Sequence, residues 1–121
     1  TIAGLLDSRR QLTQPARLFA PVAPDARRGH ALRSFYRQQI AGKRVLLADD
    51  VRNTGQTFAR CAALVREAGG TVIGTVEIYD RMEAVVDLGV PNIALAEYRA
   101  NDNHPEADCP QCREGRPVTA F

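Results

Sequence analysis

Tryptophan is absent from this sequence of 121 residues, and methionine occurs only once. Nine glycines and seven prolines are too few for a collagen-like chain or for low-complexity disorder, and three cysteines are too few for a disulfide-dense mini-protein. With 45% hydrophobic and 25% charged residues, the composition is that of one globular domain large enough to bury a core.

The sequence also lacks a strong excess of charge of either sign. Its net charge of +2 is too small to indicate nucleic-acid binding, and we expect no nucleic-acid partner. Lys43 is the one lysine among 16 basic residues. Arginine binds phosphate through a planar fork, but the base composition of the genome explains this bias at least as well.

No apolar run approaches the roughly 20 residues that cross a bilayer, and no signal peptide opens the chain. An odd number of cysteines (Cys61, Cys109 and Cys112) fits a reducing compartment better than secretion. We therefore expect a cytoplasmic protein with no membrane partner. Because the sequence begins without methionine, we also expect it to be an incomplete copy of a longer domain.

Hydrophobic periodicity places a βαβ unit at the centre of the chain. A strand at 44–48, apolar enough to be covered on both faces, is followed by a helix at 57–68 and a β-branched strand at 71–79. The weaker predicted segments are helices at 2–12 and 81–88, strands at 16–22 and 93–95, a long polar loop at 21–39 and a polar tail from 101.

Two adjacent acids end the first strand of this unit, where open parallel sheets bind their ligands. Asp49 and Asp50 can accept hydrogen bonds from two vicinal hydroxyls or help to hold Mg²⁺. The turn at 51–57 opens a helix, so its N–H groups and the hydroxyls of Thr54 and Thr57 form an anion nest. This combination predicts a site for a ribose 5-phosphate, and the alternative is that the acids merely end a strand while Thr57 merely caps a helix.

The run VLLADDVRNTGQT at 45–57 resembles the phosphoribosyl pyrophosphate signature of type I phosphoribosyltransferases. The resemblance implies an α/β fold with a Rossmann-like open sheet, mostly parallel and flanked by helices. It also implies that the two acids bind the ribose hydroxyls and that the turn binds the 5-phosphate, through Asn53, Thr54, Gly55, Gln56 and Thr57. The family's N-terminal hood, first strand and pyrophosphate-gripping loop would precede Thr1, so we expect residues 1–121 to form one partial domain.

Within that family, the run DRME at 80–83 resembles the Asp-Arg-x-Glu of orotate phosphoribosyltransferases. The resemblance implies that Arg81 binds the carboxylate of orotate; the alternative is a surface ion pair between Arg81 and Glu83. The family's first turn threonine, which helps to bind the base, is Asn53 here, so Asn53 is a second base-binding candidate and another base remains open.

Residues 26–32 resemble the mobile catalytic loop of these enzymes, which closes over the pyrophosphate, often from the partner subunit. The usual lysine is absent, and Arg28 is its nearest substitute. Arginine stabilises negative charge but cannot donate a proton, which leaves proton donation to His30 or solvent. The alternative is a solvated basic loop. The resemblance further implies Mg²⁺ as cofactor and a homodimer.

The tail at 101–121 contains the run CPQC, which resembles the tail of some bacterial orotate enzymes. Taken alone, Cys109 and Cys112 would supply half of a four-ligand zinc site, with His104 or Asp108 as possible further ligands. No second Cys-x-x-Cys occurs in the sequence, so free thiols or a redox-labile disulfide are favoured over zinc. We expect Cys61, which lies in the helix after the phosphate turn, to be packed in the core.

The expected reaction is the conversion of orotate and phosphoribosyl pyrophosphate to orotidine 5′-phosphate and pyrophosphate, a step of de novo pyrimidine synthesis. Three alternatives stay open. The first is a phosphoribosyltransferase for another nucleobase such as a purine, and the second is a non-catalytic regulator that keeps the phosphoribosyl pyrophosphate site. The third is a zinc-stabilised interaction module that depends only on the tail.

Overall fold

A parallel strand–helix–strand unit is the centre of the fold, as the sequence predicts. The structure is a computed structural model that describes residues 2–25, 29–83, 86–99 and 106–116. Its elements are α1 (Ile2–Ser8), β1 (Ala23–Asp25), β2 (Gly29–Ala31), α2 (Ser34–Ile40), β3 (Arg44–Arg52), α3 (Gln56–Glu67), β4 (Thr71–Asp80), β5 (Asn92–Glu97), a short 3-10 helix (Glu106–Asp108) and α4 (Pro110–Arg113).

The three longer strands pair in the order β3-β4-β5, and both pairings are parallel. β1 and β2 form a separate antiparallel hairpin. In the register of the main sheet, Asp49 lies opposite Glu77 and Arg52 lies opposite Asp80. The carboxyl ends of β3 and β4 therefore meet at one edge of the sheet. This geometry confirms the predicted α/β class with a mostly parallel open sheet.

The core lies between one face of this sheet and α3. Phe58, Ala62 and Val65 recur at helical spacing and are buried, and they pack with Leu47 of β3 and Val72 of β4. Full burial of a side chain such as Phe58 stabilises the fold by about 1.5–3 kcal/mol. This packing fixes the start of α3 against the end of β3, where the candidate site lies.

The prediction that the first central strand is covered on both faces is wrong for the part of the chain that the structure describes. Val45 is half-buried and Leu47 buried on the α3 face, whereas Leu46 on the other face is 43% exposed. Ile78 and Ile93, in the neighbouring strands, are also exposed. Within the described ranges, helix packing covers only one side of the sheet.

Several predicted boundaries before the main sheet are wrong. α1 ends at Ser8 rather than at residue 12, because the carboxylate of Asp7 accepts hydrogen bonds from Arg10 Nε and the backbone N–H of Arg17, both at 2.8 Å. Residues 16–22 form no strand, since none of the described strands pairs with them. The predicted loop at 21–39 contains the hairpin and α2, which buries Ile40.

The predicted helix at 81–88 is absent from its described part, residues 81–83 and 86–88. Met82 has a φ of +55°, in the left-handed region, and this turns the chain out of a helical path. The strands are also longer than predicted, so Asp49 and Asp50 lie inside β3 rather than after it. No helix in the described ranges is both long and apolar enough to cross a membrane.

Candidate functional site

A cavity of about 210 Å³ lies where β3 passes into α3. Its lining includes Asp49 and the complete turn at 53–57, so the structure brings together one of the two predicted acids and all five predicted phosphate-binding residues. The other predicted acid, Asp50, does not line the described cavity. Arg52 and Arg60 also line the cavity and bring two positively charged residues to it. A small cavity with one carboxylate, two cations and a polar turn suits a sugar phosphate better than an apolar ligand.

The two acids differ in exposure but have the same local hydrogen bonding. Asp49 is half-buried and its Oδ1 accepts the N–H of Asp50 at 3.0 Å, while Oδ1 of the exposed Asp50 accepts the N–H of Val51 at 2.7 Å. Each carboxylate thus keeps one oxygen without a hydrogen bond to the described residues. Successive side chains of a strand point to opposite faces, and of these two acids only Asp49 lines the described cavity, where its second oxygen can accept a bond from a ligand hydroxyl.

The turn after β3 owes its shape to Gly55. This residue is buried, has a left-handed φ of +78° and is the N-cap of α3. Its cap position makes no side-chain hydrogen bond, which leaves the N–H groups of the first helical turn available to an anion. Thr57 lies inside the first turn, so the alternative that it caps the helix is wrong.

The turn is tied to the segment that follows β4, because the N–H of Val86 donates to the carbonyl of Thr54 at 2.9 Å. The N–H of Arg81 likewise donates to the carbonyl of Arg52 at 2.9 Å. Arg81 itself does not line the described cavity, and its Nη2 pairs with Glu83 at 3.3 Å. The ion pair that the sequence left open as an alternative is therefore formed, at the same sheet edge as the acids.

Arg52 is a candidate site residue that sequence reasoning missed. Its side chain is 11% exposed, and Nη1 lies 3.9 Å from Oδ2 of Asp80. Its Nε is buried without a hydrogen-bond partner among the described residues. The signal available in the sequence was a basic residue placed between the two acids and the phosphate turn.

The predicted loop residues are only partly described. Arg28 lies outside the described residues, and His30 is a half-buried residue of β2 that does not line the described cavity. His30 Nδ1 is buried and has no partner within the described ranges. The hairpin nevertheless lies next to the cavity, because a Cβ added to Gly29 would lie 3.4 Å from Nη1 of Arg60, a residue that lines the cavity.

The cysteines of the tail differ in their pKa values. Hydrogen bonds from the backbone N–H and the thiol of Cys112, and from the N–H of Gln111, lower the pKa of Cys109. The pKa of Cys112 is raised because its thiol is hydrogen-bonded to Cys109. In the helix after the phosphate turn, burial and the nearby carboxylate of Asp49 raise the pKa of Cys61, which packs against the core as expected.

The proposed further zinc ligands do not gather around the tail cysteines in the described part of the chain. Asp108 is exposed and pairs with Arg113 at 3.6 Å, and His104 lies outside the described residues. Among the described residues, no three His, Cys, Asp or Glu side chains lie close enough together to hold a metal. A zinc site at Cys109 and Cys112 stays a prediction.

Known proteins resemble this chain over the region that contains the cavity. Curated relatives include the orotate phosphoribosyltransferases of Caldanaerobacter subterraneus (39% identical over 77 residues) and Pelotomaculum thermopropionicum (42% over 77 residues). Each of these alignments covers 64% of this chain and 40% of the relative. The relative from Desulforamulus reducens, also an orotate phosphoribosyltransferase, is 35% identical over 86 residues, or 71% of this chain and 44% of the relative.

The chain thus spans less than half the length of these curated relatives. The family model described as the phosphoribosyl transferase domain matches residues 22–88, from the hairpin to the segment after β4. This match covers more than half of the chain and includes the acids, the turn and Arg81. With the parallel sheet and the turn at its edge, it establishes that the chain belongs to the phosphoribosyl transferase domain family.

Proposed function

We propose that residues 1–121 are one part of an enzyme that transfers the phosphoribosyl group of phosphoribosyl pyrophosphate to orotate. The observation that carries the proposal is the arrangement at the end of β3, where Asp49 and Asp50 precede a turn that Gly55 opens into α3. The names of the curated relatives support orotate as the acceptor base.

In this proposal the products are orotidine 5′-phosphate and pyrophosphate. A ring nitrogen of orotate loses its proton to solvent and forms a bond to the anomeric carbon, and the bond from that carbon to the pyrophosphate oxygen breaks, so pyrophosphate leaves with the electron pair. Asp49 and Asp50 accept hydrogen bonds from the ribose hydroxyls, and residues 53–57 bind the 5-phosphate. These groups position the substrate, and orienting two reactants is itself a large part of a rate enhancement.

The residues at the end of β3 fit Mg²⁺, because a carboxylate with one oxygen not hydrogen-bonded to the described residues is a hard ligand of the kind this ion prefers. When bound, Mg²⁺ would offset the negative charge of the pyrophosphate. We infer that Asp49, which lines the cavity, and Asp50, the next residue of β3, would help to hold it. Arg28 and His30 belong to the loop proposed to close over the pyrophosphate, with His30 or solvent donating any proton needed.

Base selection is assigned to Arg81 and Asn53. A guanidinium at the end of β4 suits the carboxylate of orotate because it can form a bidentate pair. Glu83 pairs with Arg81 at the end of β4, at a distance of 3.3 Å between Nη2 and Oε1. The proposal also includes a homodimer with exchanged loops, as the family resemblance implies, and a cytoplasmic location, which the odd number of cysteines favours.

The test uses the full-length gene product with Mg²⁺ and phosphoribosyl pyrophosphate. Orotate, uracil, adenine, guanine and hypoxanthine are supplied separately, and pyrophosphate release is followed. Release with orotate and not with uracil is the expected result, because the two pyrimidines differ in the carboxylate that Arg81 binds. Asp50→Asn is expected to lower kcat/KM at least tenfold, whereas the control Glu67→Gln, at an exposed ion pair with Arg37, leaves it unchanged.

A second candidate is a phosphoribosyltransferase for another base, which Asn53 favours. This residue is exposed, lines the cavity and replaces the usual threonine of the family turn. Release of pyrophosphate with a purine and not with orotate would support it. Binding of phosphoribosyl pyrophosphate without release for any base would instead support a non-catalytic regulator.

A further inference from the structure

Arg52 and Asp80 form a buried ion pair between the two turns of the candidate site. They are register partners at the ends of β3 and β4, and the side chain of each is 11% exposed. Nη1 of Arg52 lies 3.9 Å from Oδ2 of Asp80, which is close enough for charge attraction but too long for a hydrogen bond. Removing one partner would leave the other charge buried and uncompensated.

Asp80 uses its second oxygen to shape the turn that carries Arg81. Its Oδ1 accepts the N–H of Met82 at 2.9 Å. Met82 has a φ of +55°, a conformation that side-chain-bearing residues seldom adopt without support from their surroundings. Asp80 therefore holds the residue immediately after Arg81 in a left-handed conformation.

The backbone connects the same residues. The N–H of Arg81 donates to the carbonyl of Arg52 at 2.9 Å, and the N–H of Tyr98 donates to the carbonyl of Asp80 at 2.7 Å. These bonds attach the start of the Arg81 turn to β3 and to the end of β5. Within the described residues, the Arg52 side chain is thus the one cation paired with the carboxylate that holds Met82.

We propose that Arg52 is a positioning residue, which acts through Asp80 and the Met82 turn to orient the Arg81 side chain toward the base. The consequence for base binding rests on the proposed function, whereas the effect on the Met82 turn is independent of it. Arg52 needs no contact with the base to act in this way. Through this arrangement, the affinity of the site for an acidic base depends on Arg52, a residue inside the phosphoribosyl pyrophosphate signature at 45–57.

The first test measures amide hydrogen exchange at Met82 by NMR in the full-length protein. In Arg52→Met the Met82 amide is expected to exchange roughly tenfold faster, since Asp80 loses the charge that holds it. Arg52→Lys keeps a positive charge and is expected to restore most of the protection. Arg66→Met is the matched control, because Arg66 is exposed in the last turn of α3.

The amide of Gly70, which donates to the carbonyl of Val65 at 2.9 Å, reports whether the variant remains folded. Faster exchange at Met82 with unchanged exchange at Gly70 supports the proposal. Unchanged exchange at Met82 in Arg52→Met overturns it. If both amides exchange faster, Arg52→Lys decides, because recovery at Met82 supports the pair and no recovery overturns it.

The second test separates positioning from direct contact with a substrate. Arg52→Met is expected to raise KM for orotate about tenfold and KM for phosphoribosyl pyrophosphate less than threefold. A larger rise for phosphoribosyl pyrophosphate would overturn the proposal, because Arg52 would then bind the phosphate in the cavity it lines. A wild-type protein that releases no pyrophosphate with orotate refutes the proposed function, and exchange at Met82 still decides the role of Arg52.

Discussion

The side-chain amide of Asn92 donates a 2.6 Å hydrogen bond to Oε1 of Glu77, a residue only 1% exposed. The amide oxygen of Asn92 in turn accepts the hydroxyl of Thr75. Oε2 of Glu77 has no partner among the described residues. Because Glu77 lies opposite Asp49 in the sheet register, this buried polar group supports the strand next to the candidate site.

Asn92→Ala is expected to destabilise the fold by about 1–3 kcal/mol, because it removes the hydrogen-bond donor of the buried Glu77 carboxyl group. Urea unfolding of the variant and the wild type measures the difference. Glu77→Gln retains a side-chain oxygen that can accept from Asn92 and is expected to cost less. The control Gln38→Ala, on the exposed side of α2, changes stability by less than about 0.5 kcal/mol. Equal stability of Asn92→Ala and Gln38→Ala would contradict this prediction.

Gly55→Ala and Gly42→Ala provide a matched pair for the phosphate turn. Both glycines have left-handed φ values, +78° and +69°, so each substitution is expected to cost about 1–2 kcal/mol of stability. Gly42 lies away from the site, where a new Cβ would meet no atom within 4 Å. Only Gly55→Ala is therefore expected to raise KM for phosphoribosyl pyrophosphate, by roughly tenfold. Similar KM values for the two variants would contradict a role for Gly55 in binding phosphoribosyl pyrophosphate.

The centre of the fold could be predicted from the sequence because short-range signals agree there. The apolar run at 44–48, the two glycines after α3 and the β-branched residues of β4 each favour the same parallel unit. The location of the acids and the turn could be predicted from this unit, because the carboxyl ends of parallel strands share one edge of the sheet. Residues 84–85 and 100–105 lie outside the described ranges, as does Arg28.

The errors lie where single hydrogen bonds decide local structure. Asp7 ends α1 early by bonding to Arg17, ten residues further along the chain, whereas Met82 is left-handed because Asp80, two residues before it, accepts its N–H. Neither hydrogen bond has a periodic signature in the sequence. The Arg52–Asp80 pair was missed for a similar reason, because the register of β3 and β4 is what brings these residues together.

Arg81→Gln is expected to raise KM for orotate on the order of 10–100-fold, because the variant loses a charged, bidentate partner for the carboxylate. KM for phosphoribosyl pyrophosphate is expected to stay within about threefold, since Arg81 does not line the described cavity. Steady-state pyrophosphate release gives both constants. Arg66→Gln is the matched control, because it removes the same charge from an exposed position in the last turn of α3 and is expected to leave both constants unchanged. Unchanged orotate kinetics in Arg81→Gln would exclude its role in base selection.

Cys109 is expected to react with iodoacetamide faster than Cys112 and Cys61 at pH 7.5. The thiolate is the reactive form, and the hydrogen bonds from Cys112 and Gln111 lower the pKa of Cys109, whereas the pKa values of Cys112 and Cys61 are raised. The rate at Cys109 should therefore begin to rise at a lower pH than the rates at the other two thiols.

Mass spectrometry of the alkylated peptides measures each rate across pH 6–10. Cys112→Ala keeps the backbone donors but removes the thiol donor, so it should shift the Cys109 profile toward higher pH. Coincident profiles for Cys109 and Cys112 in the unmodified protein would contradict the hydrogen-bonded arrangement of the two sulfurs.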